Sequence, residues 1–356
     1  MSENFIRNNK GFLYNGNELF RFFGCNMYSL LYEERSVIRL MLEDVVKNNF
    51  DSVRFWCFDH GNTSKLKDSL QYTLNIISEL KLKAIPVLSD QWGFIKNYNM
   101  DLDWYKNGYR SDFMPFAIDM VKEFKNRNEI ILWELINEPA CDSYEIFHKF
   151  VEDSTSELKN VNENHLLSLG TIGGIGNKFG GPFSRFSLKK FERLYSIKSL
   201  DTVSLHDYSY DSTILDRLDI LFRFGGKNFG FLGSLNNFFT FLPSKIDEYY
   251  ITKLKKARLG GINVRRIWKN YNFKQIDSAK KLEKPVYIGE AGYKKILNNR
   301  PEVIKIEADN LFRHDISGIL LWSFESNGKS IDGHGYGFGN EDNLGETVKN
   351  IKDQIL

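Results

Sequence analysis

Short apolar runs alternate with amphipathic stretches along most of this chain. Phe20 to Tyr28 reads as a strand ending in polar and aromatic groups. Ser36 to Asn48 then sets Val37, Leu40, Met41 and Val45 on one helical face, with Glu43, Asp44 and Lys47 between them. The same beat returns as a strand over Ser52 to Phe58 and a helix over Ser64 to Leu80, then a strand over Lys83 to Leu88 and a helix over Ser111 to Lys125. It continues through Ile130 to Ile136, a helix around Tyr144 to Leu158, and His165 to Leu169. Thr202 to Leu205, Val286 to Ile288 and Gly318 to Trp322 complete eight candidate strands. Most are continuous apolar runs, as strands covered on both faces require. Eight such units closing on themselves predict an α/β fold of the (β/α)8 TIM barrel type. The alternative is an open doubly wound sheet. Against it, no GxGxxG follows the first strand, and the glycine cluster Gly170 to Gly176 comes after the fifth without the setting of a phosphate loop.

The beat breaks once. Between Leu205 and Val286 lie about 80 residues, more than a single crossover helix uses. Val264 to Lys281 fits the ordinary helix, which leaves residues 211–261 as a rim insertion or small subdomain within one catalytic barrel spanning 1–356. Residues 211–243 are rich in apolar and aromatic positions such as Ile214, Leu218, Phe222, Phe231 and Phe239. They could form a subdomain core, line the barrel mouth, or make a self-association or membrane-surface contact. The basic cluster from Lys253 to Lys269 reads as a solvated helix face beside Asp247 and Glu248.

Composition narrows the function classes. With 42% hydrophobic and 26% charged residues the chain is built to fold, and a formal charge of +2 gives no long-range field for nucleic acid or acidic lipid. Cys25, Cys57 and Cys141 are too few and too scattered for a disulfide framework, and the six histidines show no HExxH spacing, so no metal or cofactor is expected. No run of 18 apolar residues is present, and the N-terminal stretch lacks a signal-peptide pattern. That leans towards an intracellular location unless a leader has been removed.

The chemistry concentrates at two strand ends. Ile131-Leu132-Trp133-Glu134-Leu135-Ile136-Asn137-Glu138-Pro139 carries Asn137 and Glu138 at the end of an apolar strand that Pro139 stops. Val286-Tyr287-Ile288-Gly289-Glu290-Ala291-Gly292 puts a second carboxylate on a buried strand between glycines that leave room for a ligand. In a barrel the C-terminal strand ends converge, so Glu138 on strand four and Glu290 on strand seven approach one pocket from opposite sides. Two facing carboxylates suit glycosidic bond cleavage, one protonating the leaving oxygen and the other attacking or activating water. Either alone reads more readily as a surface residue or as half of a structural salt bridge, and it is the pair that points to chemistry. Glu134, four residues before Glu138 and of the same strand parity, is expected inside the barrel, paired or protonated.

These motifs resemble the retaining glycoside hydrolases of the (β/α)8 clan, most closely the cellulase and mannanase family (glycoside hydrolase family 5) and within it the endo-β-mannanases. The likeness runs from Gly16-Asn17-Glu18 to Trp322. It implies Glu138 as acid/base, Glu290 as nucleophile, Asn137 on the sugar 2-hydroxyl, Arg54 beside the nucleophile, His206 and Tyr208 as the family's His-x-Tyr, and Trp322 as the platform under the reacting sugar. Tyr28, Trp92 in Ser89-Asp90-Gln91-Trp92, and Trp56 are further candidates for stacking, each with rim packing as its rival. His60 could reach a sugar from the loop after strand two, and the glycine-rich loop holding Asp332 and His334 could line the cleft. The implied activity is an endo-β-1,4-mannanase working by retention without a cofactor on an oligosaccharide or polysaccharide. A β-glucanase, or an exo-acting enzyme on short or lipid-linked glycosides, is the alternative, and a non-catalytic carbohydrate-binding barrel is a further one. Arg54, His206 and Tyr208 are expected to supply positive charge and donors that keep Glu290 ionised at neutral pH.

Overall fold

A computed structural model describes residues 5–58, 62–92, 98–172, 175, 187–210, 264–297, 299–325 and 335–355. Eight parallel strands close into a barrel with helices between them, the (β/α)8 architecture that the pattern predicts. In chain order the strands are β1 (Phe22–Asn26), β2 (Ser52–Trp56), β3 (Lys83–Val87), β4 (Leu132–Asn137), β5 (Leu166–Thr171), β6 (Val203–Asp207), β7 (Val286–Gly292) and β8 (Gly318–Trp322). Every residue of β1, β2 and β4 through β8 is buried, which explains why the runs are apolar without alternation. The insertion at 211–261, with its suggested contacts through 211–243, lies outside the described residues, as do His60, Asp332 and His334. Among the described residues no helix is long and apolar enough to cross a membrane.

Three short antiparallel strands precede the barrel, Ile6–Asn9, Phe12–Asn15 and Glu18–Leu19. The sequence reading missed them because each has only two to four residues, too few for a period to show. Ile6 and Leu13 from this meander pack with Phe22, Leu132, Leu166 and Tyr287 at the strand starts, so the meander stoppers the N-terminal mouth. The opposite mouth is left for the site.

Two strand irregularities decide where side chains point. In β4, Glu134 pairs with Ser168 and Asn137 with Gly170, so three steps on one strand answer two on its neighbour. This bulge breaks the parity read from sequence and turns Glu134 and Asn137, three apart, to the same side. In β7 an extra residue at Gly289 separates the Ile288–Leu205 and Glu290–His206 pairs, which aims Glu290 at the barrel axis.

Candidate active site

Arg54 is the hub. Fully buried on β2, its guanidinium donates to Asn26 Oδ1 at 2.7 Å, to Glu290 Oε1 at 2.8 Å and to Asn137 Oδ1 at 2.7 Å. It also grips both oxygens of Glu134, one through Nε at 3.2 Å and one through Nη2. Glu134 is therefore paired inside the barrel, as expected, and Tyr287 donates to it at 3.1 Å. Asn26 in turn donates to the Gly289 carbonyl at 2.9 Å, tying the arginine clamp to the bulge beside Glu290. A side chain at Gly170 would place its Cβ 2.2 Å from Glu134 Oε1, so β5 needs a glycine here.

Glu138 and Glu290 meet across the mouth. Tyr208 donates to Glu290 Oε2 at 2.5 Å, and His206 Nδ1 lies 2.8 Å from Glu138 Oε1 and 3.4 Å from Glu290 Oε2. One oxygen of each glutamate and one nitrogen of His206 fall within 4.8 Å of one another. Glu138 reaches this position with a left-handed backbone, φ +47°, while its N–H donates to the Gly170 carbonyl at 2.7 Å. A glutamate rarely adopts that conformation, and such strain gathers at functional sites. Two carboxylates and an imidazole could also ligate a cation, but the Arg54 guanidinium already supplies positive charge at Glu290.

The charge balance corrects one expectation. Burial pushes the Glu290 carboxyl up to about 7; His206, Arg54 and the Tyr208 hydroxyl pull the other way and only offset part of it, while Glu138 adds to the rise. His206 is itself held below its ordinary value by burial, outweighing the attraction of Glu290, so at neutral pH it is a neutral hydrogen-bonding group and Arg54 alone carries the charge.

The mouth is a cavity of about 230 Å³ lined by Tyr28, Trp56, Asp90, Trp92, Asn137, Glu138, Ile172, Tyr208, Glu290, Trp322 and Tyr336. Trp56 is buried against Tyr28 and Trp322 at ring separations of 4.9 and 5.6 Å, and Arg54 lies 4.8 Å over its ring, so it both packs the rim and faces the cavity. Of the residues singled out from sequence, Tyr28, Arg54, Trp92, Asn137, Glu138, His206, Tyr208, Glu290 and Trp322 come together here. Asn26, Asp90, Gln91, Ile172 and Tyr336 were not singled out. Asp90 and Gln91 stood inside the Ser89-Asp90-Gln91-Trp92 segment, but only the backbone route shows that they touch β4.

No family model matches the chain. Over 241 residues it is 25% identical to mannan endo-1,4-β-mannosidase 4 of Solanum lycopersicum, covering 55% of this chain and 60% of that protein. Over 153 residues it is 26% identical to mannan endo-1,4-β-mannosidase A of Hypocrea jecorina, covering 39% of this chain and 35% of the relative. The chain thus spans less than two thirds of these curated relatives. In fold it is similar to the endo-1,4-β-mannanase of Rhizomucor miehei, with a TM-score of 0.71, 16% identity and 99% of both chains covered. The endo-β-1,4-mannanase of Thermotoga petrophila gives a TM-score of 0.66 at 18% identity, covering 96% of this chain and 78% of that one. The likeness in sequence is to mannan endo-1,4-β-mannosidases, and the likeness in fold is to mannanases and cellulases such as those of glycoside hydrolase family 5.

Proposed function

We propose that the chain is a retaining β-glycoside hydrolase, with endo-β-1,4-mannanase as its activity. The observation that carries the reading is the approach of Glu138 and Glu290, with oxygens within 4.8 Å. Retaining enzymes hold their carboxyl groups about 5 to 5.5 Å apart, whereas inverting ones leave roughly 6.5 to 9.5 Å for a water.

Glu290 attacks the anomeric carbon as the bond to the glycosidic oxygen breaks, and Glu138 gives its proton to that oxygen. Glu138, now a carboxylate, then takes a proton from the water that attacks the same carbon, and Glu290 leaves. Arg54 and Tyr208 hold the attacking carboxylate in place, and the Asn137 amide, fixed by Arg54 and Asp90, presents its second N–H to a sugar hydroxyl. Tyr28 and Trp322 wall the cavity with rings suited to the apolar faces of a pyranose. The preference for mannan is supported by the activity named in the sequence relatives.

The test is a time course on matched β-1,4-mannan and β-1,4-glucan polymers and oligomers, with products resolved by size and anomeric configuration. Rapid internal cleavage of mannan with retained β-configuration is expected. Release of single sugars from chain ends favours the exo-acting reading. A 2-deoxy-2-fluoro mannoside is expected to leave its adduct on Glu290; an adduct on another residue overturns the role assignment.

A further inference from the structure

The loop leaving β3 is stitched to the end of β4 almost residue by residue. Ser89 accepts from the Asn137 N–H at 2.8 Å, and the Gln91 N–H donates to the Asn137 carbonyl at 3.1 Å. Gln91 Oε1 accepts from the Ala140 N–H at 3.2 Å and from the Tyr105 hydroxyl at 2.7 Å. Asp90 Oδ1 accepts from Asn137 Nδ2 at 2.9 Å and from the Trp92 N–H at 3.2 Å. This seam fixes the backbone of Trp92 beside Glu138. Although Trp92 is 53% exposed, its indole Nε1–H donates to Glu138 Oε2. The other oxygen, Oε1, faces the buried His206, so the indole and the imidazole address different oxygens of one carboxyl.

A donor aimed at a carboxyl oxygen binds the ionised form more strongly than the protonated one. As Glu138 gives up its proton, charge develops at the group the indole addresses, and the contact strengthens during bond cleavage. Resting on the hydrolase reading, we propose that Trp92 is a positioning residue for Glu138. Its indole N–H stabilises the carboxylate as it forms and speeds cleavage for leaving groups that need a proton. Stacking on a sugar face, the role that an exposed tryptophan in a cleft otherwise suggests, is indifferent to the charge on Glu138.

That difference makes the two roles separable. Trp92→Phe keeps a ring and removes the N–H. Across aryl β-mannosides of similar size, the variant is expected to lose about 10-fold in kcat/KM on the poorest leaving groups and little on dinitrophenyl, whose departure needs no acid. The basic limb of kcat/KM moves up by roughly 0.5 to 1 pH unit, because Glu138 becomes a weaker acid. An equal loss across the series with an unmoved limb overturns the proposal. The hydrogen bond is also read without turnover, in protein carrying 15N-tryptophan. The Trp92 indole resonance, assigned by its absence in Trp92→Phe, is expected to follow one carboxyl titration that disappears in Glu138→Gln. A resonance insensitive to Glu138→Gln overturns the proposal. Wild type that turns over no β-mannoside or β-glucoside, with the indole titration intact, refutes the hydrolase reading and the catalytic role with it, while the contact itself stands.

Discussion

Glu290 gives the most direct test of the site's electrostatics, because its ionisation should destabilise the fold. The group titrates near 4.5 when unperturbed and is pushed up to about 7 here by burial. The folded state therefore holds this proton more tightly than the unfolded state does. Its stabilising contribution is complete below the unfolded value and is lost as pH rises through about 7. Integrated between about pH 5 and about pH 8, the loss is about 2.5 kcal/mol. Unfolding entropy of roughly 2.1 cal/mol/K per residue gives a chain of 356 residues about 0.75 kcal/mol/K, so the loss is worth about 3 °C in Tm. Glu290→Gln has nothing to ionise and retains an acceptor for Arg54. By differential scanning calorimetry, the Tm of Glu290→Gln minus that of wild type is expected to rise by about 3 °C from about pH 5 to about pH 8. A difference that stays level, or falls with pH, refutes the claim that burial outweighs Arg54, His206 and Tyr208 at this carboxyl.

Three other perturbations follow from the same contacts. Tyr208→Phe removes the hydroxyl that donates to Glu290, so the acidic limb of kcat/KM should move up by about 1 pH unit; a limb that stays put shows that the hydroxyl does not set the nucleophile's charge. Glu134→Gln strips the buried Arg54 of one of its two carboxylate partners and should cost about 3 to 5 kcal/mol, read as about 4 to 7 °C in thermal unfolding; a loss under about 1 kcal/mol refutes the pairing. Gly292→Ala puts a Cβ 2.2 Å from the Tyr208 ring, and turnover should fall by about 100-fold while unfolding shifts by about 1 to 3 kcal/mol; full activity would mean that Tyr208 is free to move.

The barrel was legible because its strands are covered on both faces, which leaves mostly apolar runs such as Ile131 to Ile136, broken only by Glu134, in place of the strict alternation of a half-exposed strand. The two glutamates were legible for a related reason: a carboxylate and a run-stopping Pro139 or flanking glycines stand out at the end of such a run. Less visible was anything that depends on register. The bulge that brings Glu134 and Asn137 onto the same arginine adds one residue to an apolar strand without changing its composition. Asp90 and Gln91 look like ordinary loop residues until the backbone of β4 is set beside them. The charge state of His206 could not be read from residue types, because burial, which sequence does not measure at one atom, decides it. Gly24 and Gly318 tell a similar story at the barrel wall, where Cβ atoms would meet Ser52 and Phe22 at 2.2 and 2.3 Å.

The distribution of charge in the mouth limits what it can bind. Asp90, Glu134, Glu138 and Glu290 converge on one guanidinium and a neutral imidazole, so acceptors outnumber cations. Burial raises the Asp90 carboxyl as well as that of Glu290, against the pull of Asn137 and Arg54. Such a site favours a ligand that brings many O–H donors and no negative charge, which describes a neutral hexose. A sugar acid would place its carboxylate near Glu138 and Glu290. At about 6 Å and an effective dielectric of about 20, one such repulsion costs about 2.8 kcal/mol, or about 100-fold in affinity. At about pH 8, above the value to which burial pushes Glu290, β-1,4-linked mannuronate oligomers are therefore expected to inhibit hydrolysis of mannan oligomers about 100-fold more weakly than mannose oligomers of equal length. Comparable inhibition by the two would show that the carboxylates are screened or protonated throughout, and the proton distribution argued for Glu138 and Glu290 would have to be abandoned.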